Sequence, residues 1–257
     1  MNTRQIISLL FAATLLLVHV PSYAVPTTIT VRVISKGAKF VGTSMGGVQI
    51  TIRDALTGEV LATGTTQGST GTTDRIMKTP ANRNAVLSDE TSARFTTAID
   101  ITQPTRIEVR AYGPLAQIQS ANTVSSSQWV IPGKHIDGGD AWLLELPGFV
   151  VDILAPPAHS TMKESPAAVA VQASVTMMCG CPIVPGGLWD AGKYEVSALV
   201  KKDGKDMESI PLSYAGKPSQ YTGSIPVRGP GVYEVAVYAY DASNGNTGID
   251  KVTYLVE

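Results

Sequence analysis

The sequence predicts an all-β protein: two antiparallel β-sandwich domains behind a cleaved signal peptide. Three observations carry this. Apolar and polar residues alternate with period two in one short segment after another. Turn formers separate those segments, with 24 Gly and 16 Pro among 257 residues. Beyond the N-terminus, only residues 114–128 leave room for a short helix.

Residues 1–24 read as an export signal. Arg4 supplies a positive start, and residues 6–20 form an apolar run interrupted by Ser8, Thr14 and His19. Pro21 ends it, and Ser22-Tyr23-Ala24 sets small residues at the −3 and −1 positions of a cleavage site. The run falls short of the ~20 residues that cross a bilayer, so the expected mature chain starts at Val25, has no membrane span and is periplasmic or extracellular.

The first domain is expected at residues 25–154. Residues 28–34 (TITVRVI) and 48–53 (VQITIR) alternate as half-buried strands do. Residues 54–59 turn the chain, with Gly58 at the position that needs positive φ, and 60–63 return as a hairpin arm. Residues 66–92 are rich in Thr, Gly and Asn without periodicity and read as a long loop. Strand patterns resume at 94–100, 105–112, 142–146 and 149–154.

Residues 155–161 (APPAHST) read as a linker, because paired prolines stiffen the chain and interrupt a ladder. The second domain is then expected at 162–257. Its strand patterns lie at 168–175, 194–200, 209–212, 221–225, 232–240 and 251–256, with a turn at 202–205. Short strands at that spacing indicate a sandwich.

Composition narrows the function. Lys+Arg number 20 against 21 Asp+Glu, so no basic excess exists to displace counterions from nucleic acid. Hydrophobic residues at 44% and charged residues at 16% exclude a disordered chain. Three histidines, one of them in the leader, and no H-E-x-x-H spacing argue against a histidine-built catalytic zinc site.

Two segments resemble known families. Residues 47–64 (GVQITIRDALTGEVLATG) resemble the opening hairpin of transthyretin-like, carboxypeptidase-regulatory-like β-sandwich domains: a strand, a T-G-E turn, a returning strand. The likeness spans about twenty residues, and the 66–92 loop departs from the compact family form. Residues 229–246 (GPGVYEVAVYAYDASNGN) resemble the penultimate strand of bacterial immunoglobulin-like domains. There Tyr233 is expected to bury its ring and brace a sandwich corner through its hydroxyl. Both resemblances imply accessory, binding or structural modules more often than catalytic ones.

The segment with the most chemistry is 177–183 (MMCGCPI), which holds both cysteines. Cys179, Cys181, Met177 and Met178 are soft donors suited to copper as Cu(I), with Gly180 allowing both thiolates to turn to one point; His159 is a further donor. An oxidising compartment favours instead a Cys179–Cys181 disulfide, and separate use of the two thiols is the third reading. Gly42-Thr-Ser-Met-Gly46 matches G-x-S-x-G, but its strand flanks lack the helix that a nucleophile elbow needs. Asp241, Asn244, Asn246 and Asp250 could ligate calcium or simply form a turn. Residues 134–140, with Lys134, His135, Asp137 and Asp140, form a polar loop, and Trp129, Trp142 and Trp189 are core or recognition residues. The expected function is non-catalytic binding with a copper or redox-sensitive site at the sulfurs. The alternative is a structural or adhesive protein that meets a protein or glycan partner without metal.

Overall fold

The computed structural model describes residues 23–78, 84–163 and 166–257. The leader read at 1–24 lies outside them except for Tyr23 and Ala24. Among the described residues no helix is long and apolar enough to cross a membrane.

Seven strands make the first sandwich: β1 (Val25–Ser35), β2 (Gln49–Asp54), β3 (Val60–Thr65), β4 (Phe95–Ile101), β5 (Thr105–Gly113), β6 (Asn122–Val130) and β7 (Trp142–Leu146). One sheet runs β4-β1-β7 and the other β3-β2-β5-β6. Strand β1 pairs antiparallel with β4 and parallel with β7. The period of two sends Ile29, Val31 and Val33 inward from β1 to meet Ile50 and Ile52 of β2 and Ile107 and Val109 of β5 in one core. The β2–β3 turn is held by the Asp54 carboxylate, which accepts from Leu56 N and Thr57 N, and Gly58 adopts φ +79° as the turn pattern expects.

The long 66–92 segment is tied down at its end. Buried Arg32 donates from Nη1 to Ser92 O at 2.6 Å and Ala93 O at 3.2 Å. Asp89 accepts from the Thr72 hydroxyl, from Thr91 and from Ser92, and these donors hold its carboxyl well below the usual carboxylate range.

The second sandwich contains β8 (Phe149–Ala155), β9 (Ser160–Met162), β10 (Ala168–Met177), β11 (Glu195–Lys202), β12 (Lys205–Asp206), β13 (Ile210–Pro211), β14 (Ser213–Tyr214), β15 (Gln220–Pro226), β16 (Gly231–Asp241) and β17 (Asn246–Val256). Its sheets run β14-β15-β10-β8 and β12-β11-β16-β17-β9, with β13 also paired to β11. Lettered along the chain, these are the A-B-E-D and C-F-G sheets of an immunoglobulin-like sandwich. Tyr233 supplies the corner. It is 0% exposed, its hydroxyl accepts from Arg228 N at 2.8 Å and donates to Gly229 O at 2.9 Å, and its ring stacks on Tyr254.

Three elements differ from the sequence reading. Strand β8, expected as the last strand of the first half, pairs with β10 instead. Residues 155–161, expected as a linker between halves, carry the chain from β8 to β9, which pairs parallel with β17. The prolines end β8 and let the chain switch sheets within one sandwich. Residues 114–128 hold one turn of 3-10 helix (Ile118–Ser120) and then β6. That strand is exposed along most of its length, so it lacks the apolar alternation by which strands are recognised.

Candidate functional site

The Met177–Cys181 segment is a tight reversal at the end of β10. Gly180 N donates to Met177 O at 2.7 Å and Met177 N donates to Cys181 O at 3.2 Å. Gly180 adopts φ +74°, which favours glycine, and a Cβ there would stand 2.6 Å from Met45 Sδ and displace that side chain. Cys179 and Cys181 are joined as a disulfide, with Cα atoms 5.4 Å apart. They are 2% and 5% exposed, inside the second core.

The four sulfurs proposed as a ligand set do not share one place. Met177 packs in the second core with the cystine, whereas Met178 packs in the first core. Met177 is the last residue of β10 and Met178 the first of the reversal, and the two side chains enter the cores of two different sandwiches. Among the described residues, no group of three or more His, Cys, Asp or Glu converges as a metal site would require.

Met178 leads to the junction between the sandwiches. Only Pro147 and Gly148 separate β7 from β8. Gly148 adopts φ +133°, and a Cβ there would stand 2.7 Å from Met178 Cε. Buried Asn246 clamps the same residue, accepting from Gly148 N at 2.6 Å and donating to Gly148 O at 2.9 Å. Around it, Ser120 Oγ accepts from Val151 N, Trp189 Nε1 donates to Gly37 O, and Lys36 Nζ donates to Asn244 O.

The oxygen cluster read as a calcium candidate is spent on this framework. Asp241 accepts from Ser243 N, the Ser243 hydroxyl and Asn244 Nδ2. Asn244 Oδ1 accepts from Asn246 N, and Asp250 Oδ2 accepts from Ile153 N. The 134–140 loop is likewise structural: His135 Nδ1 accepts from Thr28 N, and the Asp140 carboxylate accepts from Leu87 N and Ser88 N. Ser44 of the G-x-S-x-G match sits exposed in a 3-10 turn (Thr43–Met45) that leads into β2, with no helix behind it. Trp142 and Trp189 are buried and Trp129 is 60% exposed. His159 stands in the β8–β9 crossover, where its N–H donates to Thr253 O.

Sequence reasoning missed a cleft between the sandwiches. It encloses about 460 Å³ between Gln119–Asn122 of the first unit and the outer face of β11, β16 and β17, including Leu199, Tyr238 and Ile249. The Tyr238 hydroxyl bonds the Glu195 carboxylate at its rim, which raises the Tyr238 pKa. Exposed Leu199 and Ile249 were the available signal, since strands that alternate correctly should not leave both outward-facing positions apolar.

No protein-family model matches the chain, and no curated protein matches it. Among solved structures, an engineered protein is similar at 20% identity over 46% of this chain, with TM-score 0.32; this chain spans 22% of that protein's length. The fibronectin(III)-like modules of Clostridium thermocellum CbhA are similar at 11% identity, covering 89% of this chain and 90% of theirs, with TM-score 0.28. The titin domains z1z2, in a complex with telethonin, show 12% identity over 91% of this chain and 95% of theirs, with TM-score 0.26. These scores leave the fold resting on the strand order and the Tyr233 corner.

Proposed function

We propose that the protein is exported and non-catalytic, and that it acts as a structural or adhesive module meeting a protein or glycan partner through loops and sheet edges, in the periplasm or outside the cell. The observation that carries this is how the polar side chains are used. The acidic, amide and histidine groups that could have formed a reacting or ligating centre are bonded to backbone of their own framework, as at Asp140, His135, Asp241, Asn246 and Asp250. The leader pattern supports export. The β2–β3 hairpin, with its Thr57-Gly58-Glu59 turn, supports a transthyretin-like reading of the first domain. We draw the domain boundary at Pro147-Gly148, and the pairing of β8 with β10 supports it.

A copper or redox-sensitive site at Cys179 and Cys181 is the second reading, favoured by the adjacency of two soft thiolate donors once reduced. Binding of the purified protein to intact cells and to a glycan array, with and without Cys179→Ser/Cys181→Ser, separates the two. Unchanged binding in the double variant is the expected result. Loss of binding in a double variant that keeps its far-UV spectrum moves the function to the sulfurs, as does uptake of one Cu(I) per reduced chain in an anaerobic titration. N-terminal sequencing of exported material should begin at Val25; a retained Met1 overturns the export reading.

A further inference from the structure

Strand β6 is the open end of the β3-β2-β5-β6 sheet. Sheet edges usually carry a device against pairing with other chains: brevity, a charge, a proline or a bulge. The other edges have one. Strands β9, β12 and β14 are three, two and two residues long, the β2–β3 and β10–β8 ladders shift register at Ile52/Arg53 and Gln172/Ala173, β4 carries Asp100 and β7 carries Glu145. Strand β6 has none of these: nine residues (NTVSSSQWV) in unbroken register with β5, and no charged side chain from Ala121 to Gly133.

The two ends of β6 are different and fit each other. At its C-terminal end stand exposed apolar groups, Trp129 within the strand at 60% and Ile131 just after it at 43%. At its N-terminal end, Ala121 and Asn122 line the apolar cleft with Leu199, Tyr238 and Ile249. From this we infer that β6 pairs antiparallel with β6 of a second copy of this chain, about a two-fold axis through Ser126. That register sets Asn122 opposite Val130 of the second copy and brings Ile131 of the second copy to the cleft, with the reciprocal contact made at the other end. A neutral strand has no charge to be matched by a foreign partner, and a two-fold arrangement uses each apolar end and each cleft once. The inference rests on the reading of sheet edges as the working surface, and names a second copy as one partner.

Sedimentation of the full exported chain should show a concentration-dependent mass of two chains. Ser125→Lys/Ser127→Lys, which charges the edge, should give a monomer. Ile249→Glu, in the cleft and away from β6, should weaken self-association by about tenfold or more. Ser126→Cys tests register, its thiol taking the place of the hydroxyl that accepts from Trp142 Nε1 at 2.7 Å. Opposed residues in an antiparallel pair have Cα atoms ~4.5–5.5 Å apart, within disulfide reach, so mild oxidation should yield a covalent dimer. Ser127→Cys, diagonal to its copy at ~7–8 Å, should not. Wild type that stays monomeric at about 100 µM overturns the inference. So does a dimer that survives the lysine pair, or equal cross-linking at positions 126 and 127. A monomer that still binds cells or glycans overturns self-pairing alone and leaves the proposed function standing.

Discussion

A single hydroxyl on the fully buried Tyr233 bonds two backbone groups, Arg228 N and Gly229 O, of the part-buried turn that precedes β16. Tyr233→Phe keeps the ring and its stack on Tyr254 but leaves both groups without their partner. Burial of unsatisfied backbone costs ~1–3 kcal/mol, and urea unfolding of the variant should show a loss of that size with an unchanged m-value. This residue was legible in the sequence because the P-G-x-Y opening and the alternation after it describe a local geometry. The fate of Asp152 was not legible, because it depends on what lies across the fold. Burial, and then the nearby Asp250 carboxylate, raise the Asp152 pKa. A carboxyl whose folded pKa lies above its unfolded value of ~3.9 favours folding below that value, and this advantage is lost as pH rises through the folded pKa. Asp152→Asn should therefore raise Tm at pH 7 and change it little at pH 3; an equal shift at both pH values would contradict this account.

At the scale of elements, strands with one buried face announced themselves. Strands β1, β2, β5, β10 and β16 stand where the alternation of branched residues put them, with ends that differ by a few residues. Strand β6 escaped because its polarity is that of an edge, and hydroxyl side chains give no period to read. Strand β8 was visible as a strand but not as a member of the second sandwich, since its apolar run says that it is buried and not against what. The sulfur segment shows the same boundary. Its residue types and its turn could be read, but not that Met177 and Met178 enter different cores. The clamp at the start of β17 gives a test at this scale. Asn246→Ala removes both bonds to Gly148, and should cost ~1–3 kcal/mol while making the Pro147-Gly148 segment an early site of limited proteolysis. Cleavage first in β16 would contradict the proposed architecture.

Across the whole molecule, each sandwich has its own core, yet Met178 and Ala38 each reach from one unit into the core of the other. The two should melt in one calorimetric transition, and separate transitions would show that the junction contributes little. Inserting Gly-Ser-Gly-Ser between Pro147 and Gly148 should broaden the distance distribution in small-angle scattering and split the melt. The uninserted junction is two residues long and is gripped by a side chain. It therefore has no slack to take up. A tug on one sandwich is delivered to the other across those two residues and at a set angle, so the pair turns as a stiff lever where a longer tether would first have to straighten.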